Sequence, residues 1–288
     1  MKPRFYLVDA HAFLHRAYHA LPPLTNSKGE PVGALYGFAR MLLQILKRDK
    51  PDRMAVCFDA PGPTFRHKLY AEYKATRKRI DEDLLVQLKA ARGMVEAMGF
   101  ACVEKSGFEA DDIMATLAKA GVKDGYEAVL VTGDKDALQL VGPGIRVFNP
   151  AKNAFLDSPQ VEEKLGVGPG SVVDYLALIG DASDNVPGVR GIGPVGAVKL
   201  LKKFGTLREA IQAAKTADPA IPPKTAQALV EGEKVAAAAI GLITLETKVS
   251  VEVAAASCKL PEPDAEKLKA VFGRLEFASL LKELLPRS

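Results

Sequence analysis

Short, wholly apolar runs separated by stretches of helical periodicity fill the first half of the chain, and this alternation limits the possible folds more than any other feature. Residues 5–8, 54–58, 101–103, 128–131 and 146–148 read as strands. Apolar runs this short, without polar alternation, suit a sheet covered on both faces. Between the first two, Leu35, Phe38, Leu42 and Leu46 recur at helical spacing. Between the second and third, Leu84, Leu88, Val95 and Met98 form a looser stripe, and residues 111–120 read as a shorter helix. The alternation predicts an α/β fold, a mostly parallel doubly wound sheet over residues 1–172. From about residue 170 the strand signals stop. Turn-rich stretches at 184–188 and 191–194 punctuate helical ones, so residues 173–288 are expected to form a smaller helical domain. A single amphipathic helix over 264–285 would end it.

The strands deliver acids. Asp9 closes the first run, Asp59 follows the second, and Asp134 follows the fourth. Ligands of open α/β sheets gather outside the carboxyl ends of the strands. Glu109, Asp111 and Asp112 stand at a helix start after the third strand, and Asp136 lies two residues beyond Asp134. Asp181 and Asp184 are three apart, so one face of a helical turn could present both. Each acid alone is explained equally well as a capping or first-turn carboxylate favoured by the helix dipole. Nine at one edge are not. Such a cluster needs cations or raised pKa values. An all-oxygen donor set favours Mg²⁺ or Mn²⁺, and two such ions about 4 Å apart can activate water and stabilise a leaving oxygen at a phosphodiester. His11, His15, His19 and His67 make no convincing ligand cluster. His15 and His19 could share a helix face and are read as surface or packing residues.

The net charge of +4 is too small to announce a nucleic-acid binder, but the charge is unevenly spread. Residues 62–79 hold six Lys/Arg, one acid and three interleaved aromatics. That mixture suits a path for single-stranded nucleic acid, and Lys74 and Arg77 would share a face if the segment is helical. A solvated connector is the plain alternative. Gly191 to Gly196 has the letters of a dinucleotide fingerprint, yet the turn-rich 181–190 precedes it where a strand is required. A helix–hairpin–helix fits better: Gly191 and Gly193 allow a tight turn whose N–H groups face phosphates, and Lys199, Lys202 and Lys203 follow. A purely structural turn is the alternative. Cys57, Cys102 and Cys258 are dispersed, which argues against zinc or a disulfide framework and fits a reducing cytoplasm. No apolar stretch approaches a membrane span, so no membrane partner is expected.

Taken together, these residues resemble the 5′ nuclease family: bacterial 5′–3′ exonucleases, flap endonucleases and the N-terminal domain of bacterial DNA polymerase I. The resemblance runs through Leu7-Val8-Asp9, Arg16 to Pro22, Tyr36-Gly37-Phe38, Phe58-Asp59, Phe65-Arg66-His67 and Glu72 to Ala75. It continues through Glu109 to Asp112, Gly133 to Asp136, Gly180 to Asn185, Gly188 to Gly193 and Leu275-Glu276-Phe277. It implies two-metal hydrolysis of 5′ flaps, nicks and 5′ ends of DNA, including RNA–DNA junctions. Asp9, Asp59, Glu109 and Asp111 would centre on one metal and Asp134, Asp136 and Asp184 on the other, with Asp112 and Asp181 bridging or acting through water. By the same resemblance, Lys74 and Arg77 would meet the scissile phosphate from a helical arch at about 62–83. Arg16, Arg66 and Tyr73 would contact DNA, and the turn near Gly191 would grip duplex and hold a K⁺ ion. A monomer working beside a DNA polymerase is expected, either free-standing or as one of its domains. The family often reads Asn-Arg-Pro-Pro where Thr76-Arg77-Lys78-Arg79 stands, and Lys-Thr where Val195-Gly196 stands.

Three other readings compete. A PIN-type ribonuclease normally lacks residues like 180–205. A catalytically inactive branched-DNA-binding module would be expected to have lost several acids or the Lys74/Arg77 pair, and none is missing. A phosphotransferase with Asp9 as nucleophile lacks a second carboxylate two residues on, where His11 stands.

Overall fold

In the computed structural model, residues 2–260 and 263–285 are described. The apolar runs form β1 (Arg4–Asp9), β2 (Arg53–Cys57), β3 (Ala101–Val103), β4 (Glu127–Val131) and β5 (Ile145–Asn149), joined by β6 (Ala154–Leu156). They make one sheet in the order β3-β2-β1-β4-β5-β6, in which β1 to β5 are parallel and β6 is antiparallel to β5. β1 lies between β2 and β4, so successive crossovers run outward in opposite directions from it and open a crevice at its carboxyl end.

Alternation within each strand divides the core into two layers. Phe5, Leu7, Cys57, Leu130 and Val147 face the helix Ala110–Lys123 and, beyond it, the helices of the second half. Tyr6, Val8, Met54, Val56 and Val131 face the helices Ala10–Ala20, Gly33–Asp49 and Glu82–Ala97. Both faces are covered, which is why the strands carry no polar stripe. The first layer continues without a break through Tyr175, Leu201, Leu229 and Leu242.

Four expectations change. β6 was not foreseen because it is only three residues long, partly buried and at the sheet edge. The expected terminal helix is two, Ala265–Arg274 and Ala278–Leu284, broken where Glu276 turns left-handed at φ +61°. Leu268, Phe272, Phe277 and Leu280 of this pair pack on the second layer of the α/β half, although their chain position lies in the helical one. The expected helical arch is instead one short helix, Phe65–Leu69, followed by successive turns in which Tyr73, Ala75 and Arg77 N–H groups reach the carbonyls of Tyr70, Glu72 and Lys74. Lys74 itself is left-handed at φ +59°, which a helix cannot accommodate. Finally, Asp181 and Val186 exchange two 2.8 Å backbone hydrogen bonds, so Asp181 and Asp184 stand on a bridged loop and not on a helical turn. Among the described residues no helix is long and apolar enough to cross a membrane.

Candidate active site

The crevice at the end of β1 collects carboxylates from neighbouring strands. Asp9 caps the helix Ala10–Ala20: one oxygen accepts from Ala12 N–H at 3.0 Å and the other from the Thr132 hydroxyl at 3.1 Å. Asp59, two residues past β2, accepts from Ala110 N–H at 2.7 Å, while its own N–H donates to His11 Nδ1 at 3.2 Å. Glu109 and Asp111 flank the start of the helix Ala110–Lys123. Past β4, Asp134 accepts from Asp136 N–H at 2.8 Å. A cleft of about 570 Å³ is lined by Asp9, Asp59, Glu109, Asp111 and Asp134 on one side and by Lys74, Arg77, Lys78 and Arg79 on the other.

Confinement shows in the proton affinities. Burial, opposed by Ala12 N–H but reinforced by Asp59 and Asp134, pushes Asp9 up to about 7. Burial with Asp9 and Asp134 nearby raises Asp111 well above the carboxylate range, and burial with Asp134 raises Asp136 to about 8. Like charges crowded into a low-dielectric site favour the neutral form in this way.

The second set arrives on the bridged loop. Gly180 and Gly188 lie back to back at its base. A Cβ on Gly188 would sit 2.4 Å from Gly180 N, and Gly180 is left-handed at φ +79°, so only glycine fits there. Asp181 accepts from Lys135 Nζ at 2.6 Å and from the Ser183 hydroxyl at 2.6 Å; burial opposes its charge, but these partners hold it below its ordinary range. Asp184 points the other way, to Arg77 at 2.5 Å and the Tyr73 hydroxyl at 3.0 Å. Lys74 Nζ lies 2.6 Å from Glu109 and 3.7 Å from Asp184, and its N–H donates to the Asp184 carbonyl. The basic segment is thereby fastened to both acid sets.

Three sequence-based assignments need correction. Arg66 is 1% exposed and directs its guanidinium at Asp112, the Leu242 carbonyl and the Thr244 carbonyl, so it cannot meet a phosphate from this position. Asp112 is fully buried and spends its oxygens on Arg66 and on the Glu109 and Glu246 N–H groups, which leaves none for a metal. Tyr73 is buried with its hydroxyl between Glu109 and Asp184, inside the site and unable to stack on a base. Arg16 is exposed but lies outside the acidic cleft, in a separate groove of about 440 Å³ that it lines with Arg40 and Tyr36.

Some residues that line or hold the site were not assigned to it from the sequence. His11, His15 and His19 line one wall of the cleft, a placement signalled by their spacing of four along the helix after Asp9. Lys135 and Thr132, which hold Asp181 and Asp9, gave no signal beyond their nearness to Asp134. Away from the cleft, Gly191 is left-handed at φ +87° and Gly193 precedes the helix Pro194–Phe204, on which Lys199, Lys202 and Lys203 are all exposed.

Among the described residues no three donor side chains already converge as a group of metal ligands. The oxygens of Glu109, Asp184 and Asp181 are instead met by Lys74, Arg77 and Lys135. Two carboxylate oxygens are nonetheless buried without any hydrogen-bond partner, Asp111 Oδ1 and Asp136 Oδ1. Buried acceptors are nearly always satisfied, so orphaned oxygens on separate acids of one crowded cluster fit a hard cation.

Known proteins share this two-part architecture. The 5′–3′ exonuclease N-terminal resolvase-like domain matches residues 4–166, and the 5′–3′ exonuclease C-terminal SAM fold matches residues 167–266. A 5′–3′ exonuclease of Aquifex aeolicus is 37% identical over 97% of this chain and 94% of its own length. The thermostable DNA polymerase I of Thermus aquaticus is 44% identical over 98% of this chain, which spans only 33% of that protein. The T5 5′-exonuclease bound to zinc shares the fold, with a TM-score of 0.71 at 21% identity and 98% coverage of both chains. So does the catalytic core of Rad2 in complex with DNA, at 0.65 and 15% identity, covering 98% of this chain and 93% of that one. Matched in order through both of its domains, the chain belongs to the 5′–3′ exonuclease family.

Proposed function

We propose that this 5′–3′ exonuclease acts structure-specifically, hydrolysing phosphodiesters at 5′ flaps, nicks and 5′ ends of DNA, RNA–DNA junctions included. The observation that carries the reading is one cleft in which acids from adjoining strand ends face Lys74, Arg77, Lys78 and Arg79. Phosphates need such a positive wall to enter a negative site. Asp9, Asp59, Glu109 and Asp111 are assigned to one divalent cation and Asp134, Asp136 and Asp184 to a second. Asp181 acts at one remove through Lys135 and Ser183. The ions, Mg²⁺ or Mn²⁺, supply Lewis-acid activation of water and of the phosphoryl oxygens.

The chain's own side chains do the remaining work. Lys74 and Arg77 lie within reach of the acids and are the groups to meet the scissile phosphate and the charge that grows on it. The hairpin at Gly191, with Lys199, Lys202 and Lys203, holds duplex by its backbone, and its carbonyls are the place for a K⁺ ion. The protein acts as a monomer in the cytoplasm, on nucleoid DNA beside a polymerase. Relatives in which the matched region is about a third of a DNA polymerase I support that association.

The test is a 5′-flap DNA labelled at its 5′ end. With Mg²⁺ a short labelled product released at the junction is expected, and with EDTA none. Tight binding without cleavage in Mg²⁺ or Mn²⁺ would replace the nuclease with a DNA-binding module.

A further inference from the structure

We infer that Arg66 and Asp112 are a buried positioning couple that sets the Lys74–Glu109 contact at the cleft, and that neither residue touches DNA or metal. The inference rests on the nuclease reading above.

Arg66 uses nearly its whole donor set inside the protein. Nη1 and Nη2 meet the two Asp112 oxygens at 2.7 and 2.8 Å, Nε donates to the Leu242 carbonyl at 2.7 Å, and Nη2 also reaches the Thr244 carbonyl at 3.2 Å. Nη1 additionally lies 3.6 Å from Glu109 Oε2. Asp112 is equally filled, accepting from Glu109 N–H at 3.1 Å and Glu246 N–H at 2.9 Å besides the guanidinium. Burial works against the Arg66 charge, but Asp112 and Glu109 more than offset it and raise its pKa. A pair with this bidentate geometry is both strong and orientation-specific.

What the couple joins gives it a role. Arg66 belongs to the short helix that opens the basic segment, Asp112 to the first turn of the helix that begins beside Glu109, and residues 242–246 to the helical half. The Asp112 carboxylate fixes the Glu109 backbone, and the Arg66 guanidinium approaches the Glu109 side chain. The same Glu109 carboxylate receives Lys74 Nζ at 2.6 Å and the Tyr73 hydroxyl at 3.1 Å. Loosening either partner shifts a carboxylate and an ammonium that face each other at the cleft. Displacements of about 1 Å in such constellations cost roughly 10²-fold in rate.

A double-mutant cycle of Arg66→Met and Asp112→Asn tests this in the full chain, with single-turnover flap cleavage and Tm measured for each variant. Cleavage is assayed well below every Tm, so that all variants are folded. Each single variant is expected to lose at least tenfold in rate at saturating enzyme, with flap affinity within about threefold of wild type. The double variant, which leaves no unpaired buried charge, should regain Tm yet be no slower than the worse single one, because partners in one contact are non-additive. Arg66→Gln, also neutral, replaces Arg66→Met if the latter does not fold. Losses that multiply in the double variant would make Asp112 a separate ligand and Arg66 a separate contact, and overturn the proposal. So would a loss of flap affinity in Arg66→Met at unchanged rate, or wild-type rates in every folded variant, which would leave the pair a purely structural role. A wild-type protein that cleaves no flap would instead overturn the nuclease reading itself.

Discussion

Burial and the neighbouring Asp134 carboxylate hold the Asp136 carboxyl up at about 8, whereas in an unfolded chain it titrates near 3.8. Between those values the folded protein binds a proton that the unfolded chain has lost, so folding becomes less favourable as pH rises. The loss begins above the unfolded pKa and levels off only above the folded one. Asp136→Asn removes the titration. In EDTA it is expected to raise Tm by a few degrees, with a larger gain at pH 8 than at pH 5, while abolishing cleavage. An equal Tm shift at both pH values would show that ionisation of a buried carboxyl is not what the substitution relieves. Lys74 makes the complementary case. Lys74→Ala should lower the cleavage rate roughly 10²-fold while leaving duplex affinity nearly unchanged, as for loss of one group that stabilises transition-state charge. Collapse of duplex binding would move Lys74 to general docking. That Asp9, Asp59, Glu109, Asp111 and Asp134 come together was legible because each ends or follows a parallel strand of one sheet; the 181–186 loop gave no such cue. What the sequence concealed is pairing: Arg66 and Asp112 are 46 positions apart, and nothing local distinguishes a filled carboxylate from an open one.

The strands were legible as elements for a physical reason. A parallel strand buried on both faces must be apolar throughout, so 5–8, 54–58 and 128–131 stand out in any reading. The segment after β2 was not, because its shape is decided by distant contacts: Lys74 N–H is held by the Asp184 carbonyl, and Asn185 Nδ2 by the Glu72 carbonyl. Helical propensity in Tyr73 to Arg79 yields to those anchors. The break at Glu276 has a similar origin, since the Glu276 carboxylate receives Ser27 N–H and hydroxyl from the loop ahead of the helix Gly33–Asp49. The helix Pro194–Phe204 presents Lys199, Lys202 and Lys203 to solvent, with Val195 at its start 71% exposed. If this element grips the phosphate backbone, replacing all three lysines by alanine should weaken duplex binding regardless of sequence. The slope of log K against log salt should fall by about 2–3. An unchanged slope would place the duplex on another surface.

At the scale of the whole molecule, one sheet and one continuous helical layer bring acids that end or follow β1, β2 and β4 to one crevice, with Asp184 of the 181–186 loop tied to the Lys74 and Arg77 that line it. The order of those acids along the chain foretold the crevice, but the return of Phe272 and Leu280 to the first half could not be read from an amphipathic pattern that fits either partner. The account stands on that crevice being where DNA is cut and not merely where it is held. The most direct test compares wild type with Asp134→Ala on one labelled 5′-flap DNA in Mg²⁺, with single-turnover cleavage and fluorescence anisotropy measured on the same samples. Cleavage abolished with binding within a few-fold of wild type is the predicted result; wild-type turnover by Asp134→Ala would contradict it.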